Sequence, residues 1–156
     1  MNRRTVLSAL GALLLTGPAA ARAATTHLTH TDAEWRKLLS PDAYRVLRQA
    51  DTERPFSSPL DEEKRPGTYA CAGCDLALYS SKTKYDSGSG WPSFWEPLHD
   101  AVVTQTDHTL FMTRTAVSCR RCEGHLGHVF DDGPKPTGLR YCMNGVALRF
   151  RAGRAA

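Results

Sequence analysis

The chain has 156 residues, 41% of them hydrophobic and 8% aromatic, which is the composition of one globular domain that can bury its own core. Its formal net charge is +4, but three of the 20 basic residues lie in an N-terminal leader without acidic residues. The remainder has 17 basic and 16 acidic residues, a net charge of +1, so charge gives no support for nucleic-acid binding.

Residues 1–23 have the features of an export signal. Arg3 and Arg4 precede an apolar run at 6–15, which is too short for the roughly 20 residues that span a membrane. Small residues follow, ending in Ala-Arg-Ala at 21–23, as at a signal cleavage site. The arginine pair resembles a twin-arginine signal, and an ordinary Sec signal is the alternative. We therefore expect an exported, periplasmic protein that has no stable membrane association after signal removal.

Two short helices are predicted after a flexible start at 24–31. Thr31 and Glu34 have the spacing of a capping box, in which a hydroxyl and a carboxylate each accept from a backbone amide. Ser40-Pro41 predicts the second helix, because serine caps an N-terminus and proline suits the first helical position.

The rest of the chain predicts strands. Segments 68–70 and 76–79 flank the first cysteine pair, and segments 101–104 and 109–117 are predicted to form a hairpin that turns near residue 107. From 146 to 151, apolar residues alternate with alanine or arginine, which predicts a strand with one apolar and one basic face. These patterns indicate a mainly β fold, mostly antiparallel, with two N-terminal helices.

Four of the five cysteines form two C-x-x-C pairs: Cys71, Cys74, Cys119 and Cys122. Two such turns together supply the tetrahedral four-sulfur set that structural zinc favours. Disulfides, a thioredoxin-like redox motif and a nucleic-acid-binding zinc ribbon are the alternatives. The redox motif is the weakest of these, because neither pair begins a helix in a βαβ pattern.

Cys142 is the cysteine left over. Arg140 precedes it by two residues and Asn144 follows it by two, so the three side chains should share one face of a strand. A nearby cation lowers the pKa of a thiol and increases its reactivity. A buried, unreactive cysteine in the core is the alternative.

Two histidines and an aromatic segment accompany this cysteine. His125 and His128 lie close to acidic residues such as Asp132, which could fix the tautomer of one ring. Structural histidines or further metal ligands are the alternatives. Trp91 and Phe94 could form an aromatic wall, or they could pack in the core.

Together these segments resemble the B-type peptide-methionine (R)-S-oxide reductases. The similarity runs from about residue 32 to residue 150, and the motifs lie at 52–56, 87–94, 125–130, 132–134 and 140–144. It implies a single domain at 32–151, built of two antiparallel sheets with a C-terminal tail at 152–156. It also implies one structural zinc, held by the two cysteine pairs at the end away from the active site.

The resemblance assigns roles to individual residues. It implies that Cys142 is the nucleophile, that Asp132 is a supporting acid, and that Trp91 packs against the S-methyl group of the substrate. It implies further substrate contacts from Phe94 and Phe130, and groups that orient and polarise the sulfoxide: His125, His128, Arg140 and Asn144.

The implied reaction is reduction of the R epimer of methionine sulfoxide, in proteins or as the free amino acid, by a monomeric enzyme. Thiolate attack by Cys142 leaves a sulfenic acid. Many family members carry a resolving cysteine where this chain has Ser89, so we expect an external small thiol or a thioredoxin-like protein to reduce the sulfenic acid. A non-catalytic zinc-ribbon module and another one-cysteine enzyme, such as a peroxidase, are the alternatives.

Overall fold

The computed structural model of the protein describes residues 27–107 and 113–156. The expected signal peptide at 1–23 lies outside the described residues. Residues 27–30 form no helix or strand, although the Leu28 amide donates to the Arg121 carbonyl at 2.8 Å. Within the described ranges, no helix has the length and apolar character needed to cross a membrane.

Two short helices begin where the caps predict. Helix α1 (Asp32–Leu38) has a complete capping box: the Thr31 hydroxyl accepts from the Glu34 amide at 3.3 Å, and the Glu34 carboxylate accepts from the Thr31 amide at 2.8 Å. Helix α2 (Pro41–Gln49) begins at Ser40, whose hydroxyl accepts from the Ala43 amide at 3.2 Å. Both helix predictions are confirmed.

Within the described residues, nine strands form two antiparallel sheets, which confirms the predicted fold class. The strands in chain order are β1 (Gly67–Cys71), β2 (Ala77–Ser80), β3 (Lys84–Tyr85), β4 (Ser93–Phe94), β5 (Val102–Asp107), β6 (Arg114–Cys119), β7 (His125–Phe130), β8 (Arg140–Met143) and β9 (Leu148–Ala152). The smaller sheet has the order β2-β1-β9, and the larger has the order β3-β4-β8-β7-β6-β5.

Aromatic residues from both sheets form the centre of the core. Phe94 of the larger sheet stacks on Tyr79 with ring centroids 4.4 Å apart, and its edge meets Tyr69 at 4.9 Å. All three side chains are buried, and Tyr69 and Tyr79 belong to the smaller sheet. The aromatic cluster therefore packs one sheet against the other.

The structure corrects two predicted boundaries. Asp107 belongs to β5 and pairs with Arg114, instead of lying in the turn. The last strand begins at Leu148, because Gly145–Ala147 forms a 3₁₀ turn. The physical reason for the second difference is the carboxylate of Glu53, which accepts hydrogen bonds from the amides of Gly145 and Val146.

The pairing of the central strands decides which side chains reach the functional face. Cys142 pairs with Ser93 on one side and with His128 on the other. Side chains of directly paired residues point to the same face of a sheet. The neighbouring row, which contains Phe94 and Tyr141, points the opposite way and into the core.

Candidate functional site

Cys142 lies at the middle of a row of polar side chains on the open face of the larger sheet. Ser93 and His128 flank it in the strand pairing, which sets neighbouring Cβ atoms roughly 5 Å apart. The hydroxyl oxygen of Ser89 lies 3.7 Å from the Cys142 sulfur. The sulfur therefore has a hydroxyl in contact, and His128 occupies the paired position on the adjacent strand.

Hydroxyl groups connect the thiol to the neighbouring loop. The Ser87 oxygen lies 2.8 Å from that of Ser89 and 2.7 Å from that of Ser93. Ser93 in turn donates to the Trp91 carbonyl at 3.0 Å. These contacts hold the loop that carries Ser89 against β4 and β8, and so fix the Ser89 hydroxyl beside the sulfur.

Burial raises the pKa of the Cys142 thiol above its ordinary value. The Ser89 hydroxyl and the positive charge of Arg140 act in the opposite direction, but burial has the larger effect. The predicted lowering of this pKa is therefore wrong, because burial outweighs the positive charge of Arg140. At neutral pH the cysteine is therefore mainly in the thiol form.

We expect the raised pKa to control alkylation of Cys142. Iodoacetamide reacts with thiolates, so the alkylation rate should rise with pH and should not reach a plateau below about pH 9. Arg140→Ala should shift the curve to still higher pH, because it removes a charge that favours the thiolate. Mass spectrometry of alkylated peptides measures the rate, and a plateau near pH 7 would contradict this prediction.

Arg140 shares the face of Cys142, as predicted. The carboxylate that binds Arg140 was not predicted. Its guanidinium binds both carboxylate oxygens of Asp132, at 2.8 and 2.7 Å, and lies 4.4 Å from the centre of the Phe130 ring. The guanidinium lowers the pKa of Asp132. Asp132 therefore orients Arg140, and the prediction that it fixes a histidine tautomer is corrected.

Asp107, and not Asp132, is the carboxylate that contacts His128. Its Oδ2 atom lies 3.1 Å from Nε2 of His128. This contact fixes the orientation of the ring beside Cys142 and favours a proton on Nε2. Asp107 was expected to lie in a turn, so its contact with His128 was not predicted from the sequence.

His125 differs from His128 in burial. Its side chain is only 8% exposed, and burial, with a smaller effect of nearby His128, lowers its pKa to about 4. The two ring centroids lie 5.2 Å apart. His125 Nε2 has no hydrogen-bond partner among the described residues. His125 is thus neutral at neutral pH and cannot act there as a charged proton donor.

Asn144 is a structural residue and not a free amide donor. It is 3% exposed, its Nδ2 atom donates to the Leu126 carbonyl at 3.0 Å, and its Oδ1 atom accepts from the Glu53 amide at 2.9 Å. Its amide group is therefore occupied at both ends, which contradicts the expected direct role in polarising a sulfoxide.

Glu53 is a second residue that the site assignments missed. Its carboxylate accepts from the Gly145 and Val146 amides, and its carbonyl accepts from the Trp91 indole at 3.1 Å. Burial raises the pKa of the carboxyl despite these bonds. Glu53 thus links the indole of Trp91 to the turn that follows β8. The segment at 52–56 is one of the motifs that resemble the family, but nothing in its composition indicates this bridging role.

The three predicted substrate-contact aromatics separate into two groups. Trp91 and Phe130 are half-buried, and Phe130 lies on the Cys142 face beside Arg140. Phe94 is fully buried, with 0% exposure, and points into the core. The prediction that Phe94 contacts substrate is therefore wrong, because adjacent strand residues point to opposite faces.

A shallow cleft lies on the Ser89 side of Cys142, and Tyr85, Ser89, Asp132 and Arg140 contribute to its wall. The Tyr85 hydroxyl is buried and has no hydrogen-bond partner in the described part of the chain. Burial raises the pKa of this phenol, and Arg140 partly opposes that effect. Tyr85 gave no signal in the sequence, because a lone tyrosine next to a loop has many ordinary explanations.

The four paired cysteines form one cluster, in which the four sulfurs lie within 4.8 Å of one another. The closest contacts join the two pairs: Cys71 to Cys122 at 3.6 Å and Cys74 to Cys119 at 3.5 Å. These distances are much longer than the roughly 2.05 Å of a disulfide. Four sulfurs around zinc lie roughly 3.8 Å apart when Zn–S is about 2.3 Å. The cluster can therefore hold a metal ion, and its donor set fits zinc.

The two cysteine turns have the same construction. In the first, the Cys71 amide donates to the Leu76 carbonyl at 2.8 Å; in the second, the Cys119 amide donates to the Gly124 carbonyl at 2.9 Å. Cys119 lies three residues beyond Ala116, which pairs with His128. The cluster therefore lies about 10 Å from Cys142 along the strands and two strands away from it across the sheet.

Comparison with known proteins gives a consistent result. The family model described as the SelR domain matches residues 39–152. A peptide methionine sulfoxide reductase MsrB from Leptospira interrogans is 53% identical over 122 residues, 78% of this chain and 93% of the relative. An MsrB from Pseudomonas putida is 55% identical over 119 residues, 76% of this chain and 90% of that protein. The chloroplastic peptide methionine sulfoxide reductase B1 of rice is 51% identical over 122 residues, 78% of this chain and 57% of that protein.

Proposed function

This chain belongs to the SelR-domain family of peptide methionine sulfoxide reductases, and from that membership we propose that the R epimer is its substrate and Cys142 its nucleophile. The protein is an oxidoreductase, so the alternative of a non-catalytic zinc ribbon no longer applies. One observation carries the assignment of the nucleophile. Cys142 is the cysteine outside the metal cluster, and it lies between Ser89 and His128 on the open face of the sheet.

The proposed chemistry begins with activation of the substrate. A sulfoxide sulfur accepts a nucleophile when its oxygen is protonated, and His128, oriented by Asp107, supplies that proton. The Cys142 thiol passes its proton to His128, which replaces the proton given to the sulfoxide oxygen, and the Cys142 sulfur attacks the sulfoxide sulfur. Oxygen passes to the cysteine, so that thiol and sulfoxide become sulfenic acid and methionine. One equivalent of an external thiol then forms a mixed disulfide and releases water, and a second equivalent restores the Cys142 thiol.

The other side chains of the site support this step from fixed positions. Arg140, held by Asp132, supplies positive charge near the sulfur as it becomes anionic. The Ser89 hydroxyl can donate a hydrogen bond to the thiolate. Trp91, whose indole is tied to Glu53, offers an apolar surface for the S-methyl group. Donors on one side and an apolar wall on the other support selection of one sulfur epimer.

We also propose that the metal is one structural zinc ion, bound by Cys71, Cys74, Cys119 and Cys122. Zinc bound to four thiolates has no open position for substrate, so its contribution is to the stability of the fold. The distance of the cluster from Cys142 supports this role.

The composition of the N-terminal leader supports a proposal for the cellular location, and Ser89 in place of a resolving cysteine supports a proposal for the reductant. We propose export to the periplasm, where the monomeric enzyme repairs oxidised proteins and free methionine sulfoxide. A small thiol or a thioredoxin-like protein serves as the reductant.

An assay on separated R and S epimers of methionine sulfoxide tests the proposed substrate. The R epimer should be reduced with kcat/KM at least about 100-fold higher than the S epimer, because the two place the methyl group and oxygen on opposite sides. Equal rates would contradict the proposal. Faster reduction of hydrogen peroxide than of either sulfoxide would favour the peroxidase alternative.

The oxidised state of Cys142 can be read after one turnover without reductant. We expect a sulfenic acid and no intramolecular disulfide, because the other four cysteines are committed to the metal cluster. Ser89→Cys should convert this product to a disulfide within the chain, since the Ser89 oxygen lies 3.7 Å from the Cys142 sulfur. Peptide mass spectrometry distinguishes the products, and Ser87→Cys is the matched control. A Cys142 disulfide in the unmodified protein would contradict the one-cysteine cycle.

A further inference from the structure

Phe56 is an aromatic side chain that the described chemistry does not use. It is 73% exposed, the highest value among the large apolar side chains of the described residues. Its backbone has φ +58°, a left-handed conformation in which a bulky residue is an outlier. Such conformations are maintained where the surrounding structure holds them, and they are frequent at ligand-binding sites.

The ring of Phe56 lies against the backbone of the catalytic loop. A Cβ atom added to Gly90 would come within 2.9 Å of ring atoms Cδ2 and Cε2 of Phe56. Gly90 stands between Ser89, which contacts the Cys142 sulfur, and Trp91, the proposed methyl-binding wall. The exposed ring is therefore continuous with the rim of the proposed active site.

Hydrogen bonds hold the Phe56 backbone in this position. Its amide donates to the Gly90 carbonyl at 2.7 Å. The Ser57 hydroxyl donates to the Arg54 carbonyl at 2.6 Å, which closes the turn around Phe56. A fixed aromatic ring loses little conformational entropy when a ligand covers it, so it is suited to recognition. These bonds do not bury the ring itself.

We propose that Phe56 is a specificity-determining residue, which contacts an apolar side chain adjacent to methionine sulfoxide in an oxidised polypeptide. This inference rests on the proposed function. The ring has no polar group of its own, so the neighbouring substrate residue that it favours is apolar. The contact lies beside Trp91 and does not involve the reacting atoms. It favours methionine sulfoxide within an apolar segment of a polypeptide over methionine sulfoxide among polar residues.

Two peptides that differ only beside the sulfoxide test the proposal. One has leucine on both sides of methionine sulfoxide and the other has serine. For the unmodified enzyme we expect a higher kcat/KM for the leucine peptide, and Phe56→Ala should lower the ratio of the two values about tenfold, mainly through KM. Phe56→Leu should restore part of the ratio. Val103→Ala, which truncates another exposed apolar side chain, should leave the ratio unchanged.

The outcomes separate this inference from the function on which it rests. An unchanged ratio in Phe56→Ala, or an equal loss for both peptides, would overturn the assignment of Phe56 as a specificity residue. Circular dichroism and Tm establish that the variants are folded. Equal reduction of both epimers by the unmodified enzyme would instead contradict the proposed function. The two results are independent, because the ratio for the two peptides can be measured on whichever epimer is reduced.

Discussion

Replacement of Cys142 by serine is expected to lower kcat/KM for methionine sulfoxide by about 10⁴-fold or more, because the nucleophile is lost. A serine hydroxyl is a far weaker nucleophile than a thiol, and it gives up its proton far less readily. Ser89, Arg140 and His128 would all remain in position around the new hydroxyl. Measurement of kcat/KM on the resolved R epimer, with a saturating small-thiol reductant, gives the size of the effect.

The fold must survive this substitution for the result to be informative. Serine is similar in size to cysteine, and Cys142 is only partly buried, so Tm should change by less than about 5 °C. Ser87→Ala is a suitable comparison, because it alters the same hydroxyl network without touching the sulfur. Activity of Cys142→Ser within tenfold of the unmodified enzyme would show that the nucleophile lies elsewhere.

The sequence contained enough information to predict the elements with strong local signals. The caps at Thr31 and Ser40 determined where both helices begin, and the repeated C-x-x-C spacing predicted a four-sulfur cluster. The face shared by Arg140 and Cys142 followed from the two-residue period of a strand. Each of these features depends on residues that are close in sequence.

Features that depend on contacts across the sheet were not predictable in the same way. Asp107 contacts His128 only because β5 and β7 both pair with β6. Asp132, the carboxylate expected beside a histidine, binds Arg140 instead. Asn144 was expected to continue the face of Cys142, but the bonds that it forms with Glu53 and Leu126 bury it. Glu53 and Asn144 are 91 residues apart in the chain, so local sequence patterns cannot predict that they are partners.

The face on which Phe94 lies could have been deduced. It directly follows Ser93, so a strand at this position must place one of the two side chains in the core. The apolar residue takes the core side, where it packs against Tyr79. The pKa of Cys142 needed the structure, because the charge of Arg140 and the effect of burial oppose each other and only the packed protein shows which is larger.

Loss of the metal is expected to have the largest effect on stability. Structural zinc contributes about 10–16 kcal/mol in small zinc-binding peptides, a value comparable to the whole unfolding free energy of about 5–15 kcal/mol of a typical domain. The cluster connects the two sheets, since Cys71 ends β1 and Cys119 ends β6. Removal of zinc by a chelator, or the substitution Cys74→Ser, should therefore lower Tm by at least about 10 °C.

A matched pair of variants separates the two proposed roles of cysteine. Each variant exchanges one sulfur atom for oxygen. Cys74→Ser should lose its bound zinc and have a lower Tm. Cys142→Ser should lose its activity but keep its bound zinc and its Tm. Elemental analysis should find close to one zinc per chain in the unmodified protein. After denaturation with chelator, all five thiols should react with a thiol reagent, because the cluster sulfurs are not joined covalently. Less than roughly half a zinc per chain together with only one reactive thiol would contradict the zinc site and favour two disulfides.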